Sequence, residues 1–149
     1  SLFSDTTEMR NAHEALFNSE KMLRNIFDNV QVGVELYDKE GYLVDINTKD
    51  LDIFGIEAKE DVLGVNFFEN PIVPGEIARN VRNGLEQSFR LDYPFDRLGG
   101  YYPSRKKGSV QIYTKVTMLY GMSGDVSGFA LTLGELAGLL FLFLTRYYV

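Results

Sequence analysis

The fold of this 149-residue chain is decided by residues 27–64, which read FDNVQVGVELYDKEGYLVDINTKDLDIFGIEAKEDVLG. Apolar side chains recur with a two-residue period over residues 32–37, a pattern that predicts a half-buried strand. Residues 38–41, Asp-Lys-Glu-Gly, supply turn chemistry, and Gly41 can take the positive φ that a tight turn needs. Residues 42–46 then predict the second strand of a hairpin.

Two short helices are predicted after this hairpin. Asn47 is a typical helix-capping residue, Leu51 and Phe54 are expected to face inward from the helix that it begins, and Gly55 is typical of a helix end. A further one-turn helix is predicted over residues 60–64, which end in Leu-Gly.

This order of strands, turn and capped helices resembles a PAS domain, the small sensory fold of many signalling proteins. The resemblance implies an α+β fold: a five-stranded antiparallel sheet with short helices and one longer helix on one face, preceded by an N-terminal helix. The residues that carry it are Phe27, Val30, Gly33, Val34, Tyr37, Asp38, Gly41, Val44, Asn47, Leu51, Phe54, Gly55, Leu63 and Gly64.

The longer helix that the PAS resemblance implies is expected after residue 74. Residues 74–76, Pro-Gly-Glu, can begin a helix that carries Ile77, Val81 and Leu85 at four-residue steps and ends near residues 87–88. We expect this helix to cross one face of the sheet.

Three more strands are predicted towards the C-terminus. Side chains alternate over residues 89–95 and 110–118, and a turn at residues 123–125 leads into the expected fifth strand over residues 126–133. The loop over residues 96–108 is longer than a tight hairpin requires. With the first hairpin, these strands complete the five that the resemblance implies.

Residues 1–30 contain neither Gly nor Pro and predict one helix. Positions 9, 12, 16, 19, 23, 26 and 30 follow one another at alternating steps of three and four, the spacing of a coiled-coil seam, and all of them except Ser19 are apolar. Because such a seam is buried only against another helix, we predict a homodimer through this segment; an amphipathic helix folded onto its own domain is the alternative. The seam comprises Met9, Ala12, Leu16, Leu23 and Ile26.

Composition removes several kinds of site. The chain has 21 Asp and Glu residues against 15 Lys and Arg, a net charge of −6 that argues against a nucleic-acid binder. Without Cys there can be no disulfide, no thiolate metal site and no cysteine-linked flavin. The single His, His13, lies in the predicted N-terminal helix, so an axial haem ligand is disfavoured. No cofactor is evident; non-covalent flavin stays open, and an unknown small molecule is the remaining class of ligand.

PAS domains enclose a cavity between the sheet and the crossing helix, and in some of them this cavity holds a ligand. Tyr93 and Thr114 interrupt otherwise apolar core-facing runs. A buried hydroxyl needs a hydrogen-bond partner, so each of the two bonds either the backbone or a ligand. The predicted cavity residues are Phe54, Phe67, Phe68, Ile77, Val81, Leu85, Tyr93 and Thr114.

The other charged side chains are predicted to lie on the surface. Asp50 with Asp52, and Glu60 with Asp61, are expected on exposed short helices, without a neighbouring base or metal-ligand spacing. Residues 105–107, Arg-Lys-Lys, are expected at a solvated loop tip, with a contact to an anion or a partner as the alternative. We therefore expect no catalytic and no metal-binding residues.

Residues 31–133 form the predicted PAS domain, and residues 134–149 depart from its pattern. The apolar run over residues 136–144 is too short to cross a bilayer, which takes about 20 residues. We therefore expect no membrane span in the chain. Three arrangements stay open for this tail: docking on the sheet, joining a dimer interface, or being foreign to the native protein.

The resemblance implies a sensory or regulatory module of a signal-transduction protein, in particular a bacterial two-component sensor histidine kinase. A small molecule or partner would change its packing, and dimer helices would relay that change to a downstream kinase or output domain of the same parent chain. The alternatives are a ligand-free dimerisation or interaction module of a kinase or transcription regulator, and a small enzyme on a similar α+β fold. The expected location is cytoplasmic, whether or not the parent protein is membrane-associated.

Overall fold

The computed structural model describes residues 2–135, with side chains from residue 6 onward, and it divides into two units after Val30. The first unit contains one helix, α1 (Leu2–Asn29), as the absence of Gly and Pro predicts. The apolar run over residues 136–144 lies outside the described residues. Within the described chain, no helix combines the length and the apolar character needed to cross a membrane.

The second unit is built on a five-stranded sheet in which every neighbouring pair is antiparallel. This confirms the predicted α+β class, with the fifth strand running on to Glu135. The sheet has the order β2-β1-β5-β4-β3, and its strands are β1 (Gly33–Asp38), β2 (Leu43–Ile46), β3 (Gln87–Pro94), β4 (Ser109–Tyr120) and β5 (Val126–Glu135).

The connection between β2 and β3 holds the remaining α-helices, α2 (Thr48–Phe54) and α3 (Gly75–Arg82). Asn47 caps α2 as predicted, since its side chain accepts a hydrogen bond from the Asp50 N–H, and Gly55 ends the helix in the left-handed conformation. Short 3-10 helices complete the chain at Lys59–Asp61, Phe67–Glu69 and Phe95–Arg97.

The helix predicted to carry Ile77, Val81 and Leu85 is shorter than expected. It ends at Arg82, and Gly84 follows with a φ of 74°. Leu85 therefore lies outside the helix, and 52% of its surface is exposed. The prediction was wrong here because the four-residue spacing ran on past a residue that ends helices.

The face of β1 that points into the core is not the face that carries Val34 and Leu36. Gly33, Glu35 and Tyr37 are buried, whereas Val34 and Leu36 on the other face are half-buried. The inward residues pair in register with Leu133, Leu131 and Phe129 of β5, whose side chains are also buried. A charged residue thus enters the core because strand pairing fixes the phase of β1.

Aromatic side chains fill one end of this core. The rings of Tyr37 and Phe129 stack with centroids 4.9 Å apart, and Phe67 meets both rings edge-on. Tyr37 and Phe67 of this cluster also border a cavity in the core.

Candidate ligand cavity

A cavity of about 50 Å³ lies in the core of the second unit. Because one water needs roughly 10–15 Å³ measured in this way, there is space for a ligand of a few heavy atoms. Its wall is mostly aliphatic and aromatic, with polar groups from β1, α2, β3, β4 and the β3–β4 loop. The lining residues are Glu35, Tyr37, Leu43, Ile46, Asp50, Phe54, Ile56, Val62, Val65, Phe67, Asn70, Val73, Phe89, Leu91, Tyr93, Tyr101, Tyr102, Ile112, Thr114, Leu131 and Leu133.

Two carboxyl groups, those of Glu35 and Asp50, line this cavity side by side. Asp50 is fully buried, which corrects the expectation that it lies on an exposed helix face with Asp52. Only Asp52, Glu60 and Asp61 of the predicted surface carboxylates are exposed. The inward phase of β1 brings Glu35 to the same place.

The position of Asp50 follows from the cap of α2. The Asn47 side-chain oxygen accepts hydrogen bonds from the Val34 N–H at 2.8 Å and from the Asp50 N–H at 3.0 Å, which ties the helix to β1. Gly33 leaves the necessary space on the strand, because a Cβ there would lie 2.7 Å from Asp50 Oδ2. The cap and the glycine together direct the carboxyl into the core.

The environment of the pair disfavours the ionised form of both carboxyls. Burial raises the pKa of Glu35, and burial followed by the charge of Glu35 raises the pKa of Asp50 well above its ordinary value. Neither Asp50 oxygen accepts a hydrogen bond from any donor in the described chain. The two carboxyls are close enough to bond each other, but as two carboxylates neither has a proton to donate, so a bond between them requires a proton on one.

Tyrosine hydroxyls supply the other polar groups of the wall. The Tyr37 hydroxyl donates to Glu35 Oε1 at 2.6 Å, and the hydroxyls of Tyr93 and Tyr102 are 2.7 Å apart. Burial raises the pKa of Tyr37, Tyr93 and Tyr102, so these phenols stay neutral at physiological pH. The cavity therefore combines two acids with neutral hydrogen-bonding groups.

The β3–β4 loop closes one side of the cavity with Tyr101 and Tyr102. Tyr101 donates to the Asn66 carbonyl at 2.5 Å, and Ser104 donates through its hydroxyl to the Phe54 carbonyl at 2.5 Å. The Arg105 N–H donates to the Gly55 carbonyl at 2.8 Å, so the loop is fastened to the end of α2. The side chains of residues 105–107 are exposed, as predicted for a solvated loop tip.

Comparison with solved structures identifies the fold. No protein-family model matches this chain, and no curated protein matches it. The PAS domain of an HTR-like protein from Haloarcula marismortui superposes with a TM-score of 0.65 at 14% identity, over 85% of this chain and 99% of that one. The PAS domain of BvgS from Bordetella pertussis gives 0.57 at 19% identity over 92% and 99%, and a PAS domain from a two-component sensor histidine kinase gives 0.57 at 12% identity over 78% and 96%.

This chain has the PAS fold. At such low identities the likeness concerns architecture, and it confirms the expectation drawn from the hairpin, the Asn47 cap and the helix-ending glycines. The PAS sheet places its inner face, including Thr114 of β4 and Tyr93 of β3, against the cavity.

Four of the eight predicted cavity residues line the PAS cavity, namely Phe54, Phe67, Tyr93 and Thr114. The Tyr93 hydroxyl lies 2.7 Å from the hydroxyl of Tyr102, a side-chain partner that the sequence analysis did not consider.

The other four predicted residues lie elsewhere in the PAS fold. Phe68 packs beside the core with the Arg82 guanidinium 3.8 Å above its ring. Val81 is buried, Ile77 is half-buried and Leu85 is exposed, and none of the three lines the cavity. They were misplaced because α3 is short and the cavity lies nearer to α2.

Sequence reasoning missed Glu35, Asp50, Tyr37, Tyr101 and Tyr102. One signal was available: Gly33, Glu35 and Tyr37 occupy a single face of β1, and Asp50 follows the capping Asn47 by three residues. Because a carboxylate is seldom buried without a partner, burial preference assigns both acids to the surface in spite of this signal.

Proposed function

We propose that the unit beginning at Gln31 is a sensory or regulatory module that binds a small molecule in the core cavity. The observation that carries this proposal is the Asp50 carboxyl, which lines the cavity without a donor for either oxygen. A core that served packing alone would be more stable with an apolar side chain there, because burying a polar group without a hydrogen-bond donor is costly. A ligand that satisfies this group gives the arrangement a function.

A relay from the cavity to the N-terminal helix is part of the proposal. Besides bonding the Asp50 N–H, Asn47 donates through its amide to the Val32 carbonyl at 2.9 Å. Val32 is close in sequence to the end of α1, so a change at Asp50 reaches the segment that follows the helix through one side chain.

The seam of α1 supports a homodimer as the output of this relay. Met9, Leu16, Leu23 and Ile26 are between 56% and 65% exposed, and Ala12 lies on the same stripe. An exposed apolar stripe at heptad spacing is buried by a second copy of the same helix. A ligand that binds two arrangements of this dimer with different affinity would shift the population between them.

We infer that the parent protein is a two-component sensor histidine kinase and that this module is its non-catalytic input domain. Support comes from the PAS fold and from the presence of a PAS domain of such a kinase among the similar structures. The proposed partners are a second copy of this chain and the kinase or output domain of the parent.

Native mass spectrometry of the purified chain, beside its denatured mass, tests the ligand. Extra mass that is present under native conditions and lost on denaturation supports the proposal, provided that Asp50→Asn protein purified in parallel carries less of it. If native protein carries no extra mass after incubation with an extract of the source cells, the ligand-binding function is refuted.

The second candidate is a ligand-free dimerisation module. The small volume of the cavity and the exposed seam of α1 favour it. Native spectra with a dimer and no added mass would support this candidate over the first.

A further inference from the structure

The cavity contains acidic groups without a basic partner. Among the described residues that line it, two are carboxylic acids and none is Lys, Arg or His. The carboxyl of Glu35 receives one hydrogen bond, from Tyr37, whereas the carboxyl of Asp50 receives none from the described chain. A positive charge that pairs with these acids therefore has to be supplied by a group other than the lining side chains.

The aromatic part of the remaining wall can contact a positive charge. Phe54, Tyr93 and Tyr102 line the cavity together with the acids, and the Phe54 and Tyr93 centroids are 4.9 Å apart. Aromatic faces attract cations, and phenol oxygens can accept hydrogen bonds from them. An anionic ligand would instead meet two carboxyls and no cationic side chain.

A metal ion fits this arrangement poorly. Ca²⁺ takes six to eight oxygen ligands and Mg²⁺ takes six, most of them carboxylates, carbonyls or waters. The described residues contain no cluster of three or more carboxylate, His or Cys side chains that could hold a metal ion. The cavity offers two carboxyls in an otherwise aromatic and aliphatic wall.

We propose that the cavity binds a small organic cation, a protonated amine, whose N–H groups donate to Asp50 and Glu35 while its carbon atoms contact the tyrosine-lined wall. This inference rests on the proposed function, since it assigns the chemical class of the ligand of the same cavity. The volume of about 50 Å³ limits the cation to a few heavy atoms. The two acids give the recognition, because each can accept a charge-assisted hydrogen bond.

Matched probes of equal size test the charge. Ethylammonium and propylammonium are compared with ethanol and 1-propanol, with acetate as the anion, by calorimetry and by amide chemical shifts in NMR spectra of the full chain. We expect the ammonium ions to bind at least about tenfold more tightly than the alcohols, because only they donate charge-assisted hydrogen bonds to the acids. Acetate should not bind.

Two variants separate a binding role from a structural one. Asp50→Asn and Glu35→Gln keep the shape of each side chain and should each weaken ammonium binding by about tenfold or more. Asp52→Asn, an exposed neighbour on α2, should bind as the wild type does. Loss of amine binding in a variant that stays folded in its NMR spectrum supports direct recognition.

The other outcomes overturn the inference in distinguishable ways. If alcohols bind as tightly as ammonium ions, or if Asp50→Asn binds ammonium with unchanged affinity, the proposal of a cationic ligand is wrong. The proposal that the cavity binds a small molecule is then unaffected. If neither probe class binds and native protein carries no added mass, both the cation and the proposed function fail.

Discussion

Replacing Asp50 by Asn measures what the buried carboxyl pair costs the fold. The Asp50 carboxyl is fully buried beside Glu35, and neither of its oxygens accepts a hydrogen bond from the described chain. An Asn amide has the same shape, carries no charge and can donate an N–H to the Glu35 carboxylate. We therefore expect the variant to be more stable than the wild type at neutral and alkaline pH.

The pH dependence of this gain has a definite sign. Burial raises the pKa of Glu35 above its ordinary value of 4.5 and the pKa of Asp50 well above 3.8. A carboxyl of this kind contributes stability below its unfolded pKa and loses that contribution as pH rises through its folded pKa. Because the variant lacks the titration of Asp50, the difference in unfolding free energy should widen in its favour as pH increases.

The size of the gain follows from the missing hydrogen bonds. A buried unsatisfied polar group costs about 1–3 kcal/mol, and more when it is charged. We expect about 2 kcal/mol at about pH 8.5, since a proton shared with Glu35 relieves part of the cost. At roughly 4 °C per kcal/mol, the melting temperature should rise by about 8 °C.

Urea denaturation followed by circular dichroism, at several pH values between about 5.5 and 8.5, gives the free energies of unfolding directly. Asp52→Asn, on the exposed side of α2, is the matched control and should stay within about 0.5 kcal/mol of wild type throughout. A difference for Asp50→Asn that is constant with pH, or a variant less stable than wild type at pH 8.5, would refute the reasoning.

Three further changes test the neighbouring contacts. Gly33→Ala should lower the unfolding free energy by about 1–3 kcal/mol in urea titrations, because the added Cβ would lie 2.7 Å from Asp50 Oδ2. Leu16→Asp with Leu23→Asp should convert dimers to monomers in light scattering, because the seam cannot bury two charges in each helix. Ser104→Ala removes the hydroxyl that bonds the end of α2, so amides of residues 101–107 should exchange about fivefold faster, as loss of about 1 kcal/mol implies.

Each of these changes has a matched control. Gly33→Ala should cost less when Asp50 is also Ala, and equal costs in both backgrounds would mean that another group collides with the new Cβ. Asn11→Asp with Asn18→Asp adds the same charge to α1 off the seam and should leave the dimer intact; monomers here, or dimers in the Leu variant, would contradict the coiled coil. Ser123→Ala, in the β4–β5 turn, should leave loop exchange unchanged, and unchanged exchange in Ser104→Ala would remove the role of its hydroxyl.

Local chemistry made most of the fold predictable. Asn47 and Gly55 mark the two ends of α2 by capping rules that depend on neighbouring residues only. The alternation over residues 89–95 and 110–118 predicts β3 and β4, because a two-residue period is typical of a strand. The predicted end of the helix after residue 74 was wrong. Its apolar spacing continues to Leu85, although the chain turns at Gly84.

The acidic site could not be predicted in this way. Which face of β1 turns inward depends on pairing with β5, a contact between residues almost a hundred positions apart. Judged by burial preference alone, Val34 and Leu36 should face the core and Glu35 should face water. The same preference assigns Asp50 to the surface, although the Asn47 cap directs it to the cavity.

The energetic cost of the acid pair and its proposed signalling role both involve the hydrogen bonds of Asn47. Asn47 Oδ1 accepts from both the Asp50 and the Val34 N–H, so one side chain joins the start of the helix that carries Asp50 to β1. Under the proposed function, a cation that binds the pair more tightly in one arrangement of the module adds the difference in binding energy to the stability of that arrangement. A neutral ligand that binds both arrangements with equal affinity would leave their populations unchanged. In the proposed function, the buried carboxyl is the group through which a cation can bind two states of the module with different affinity.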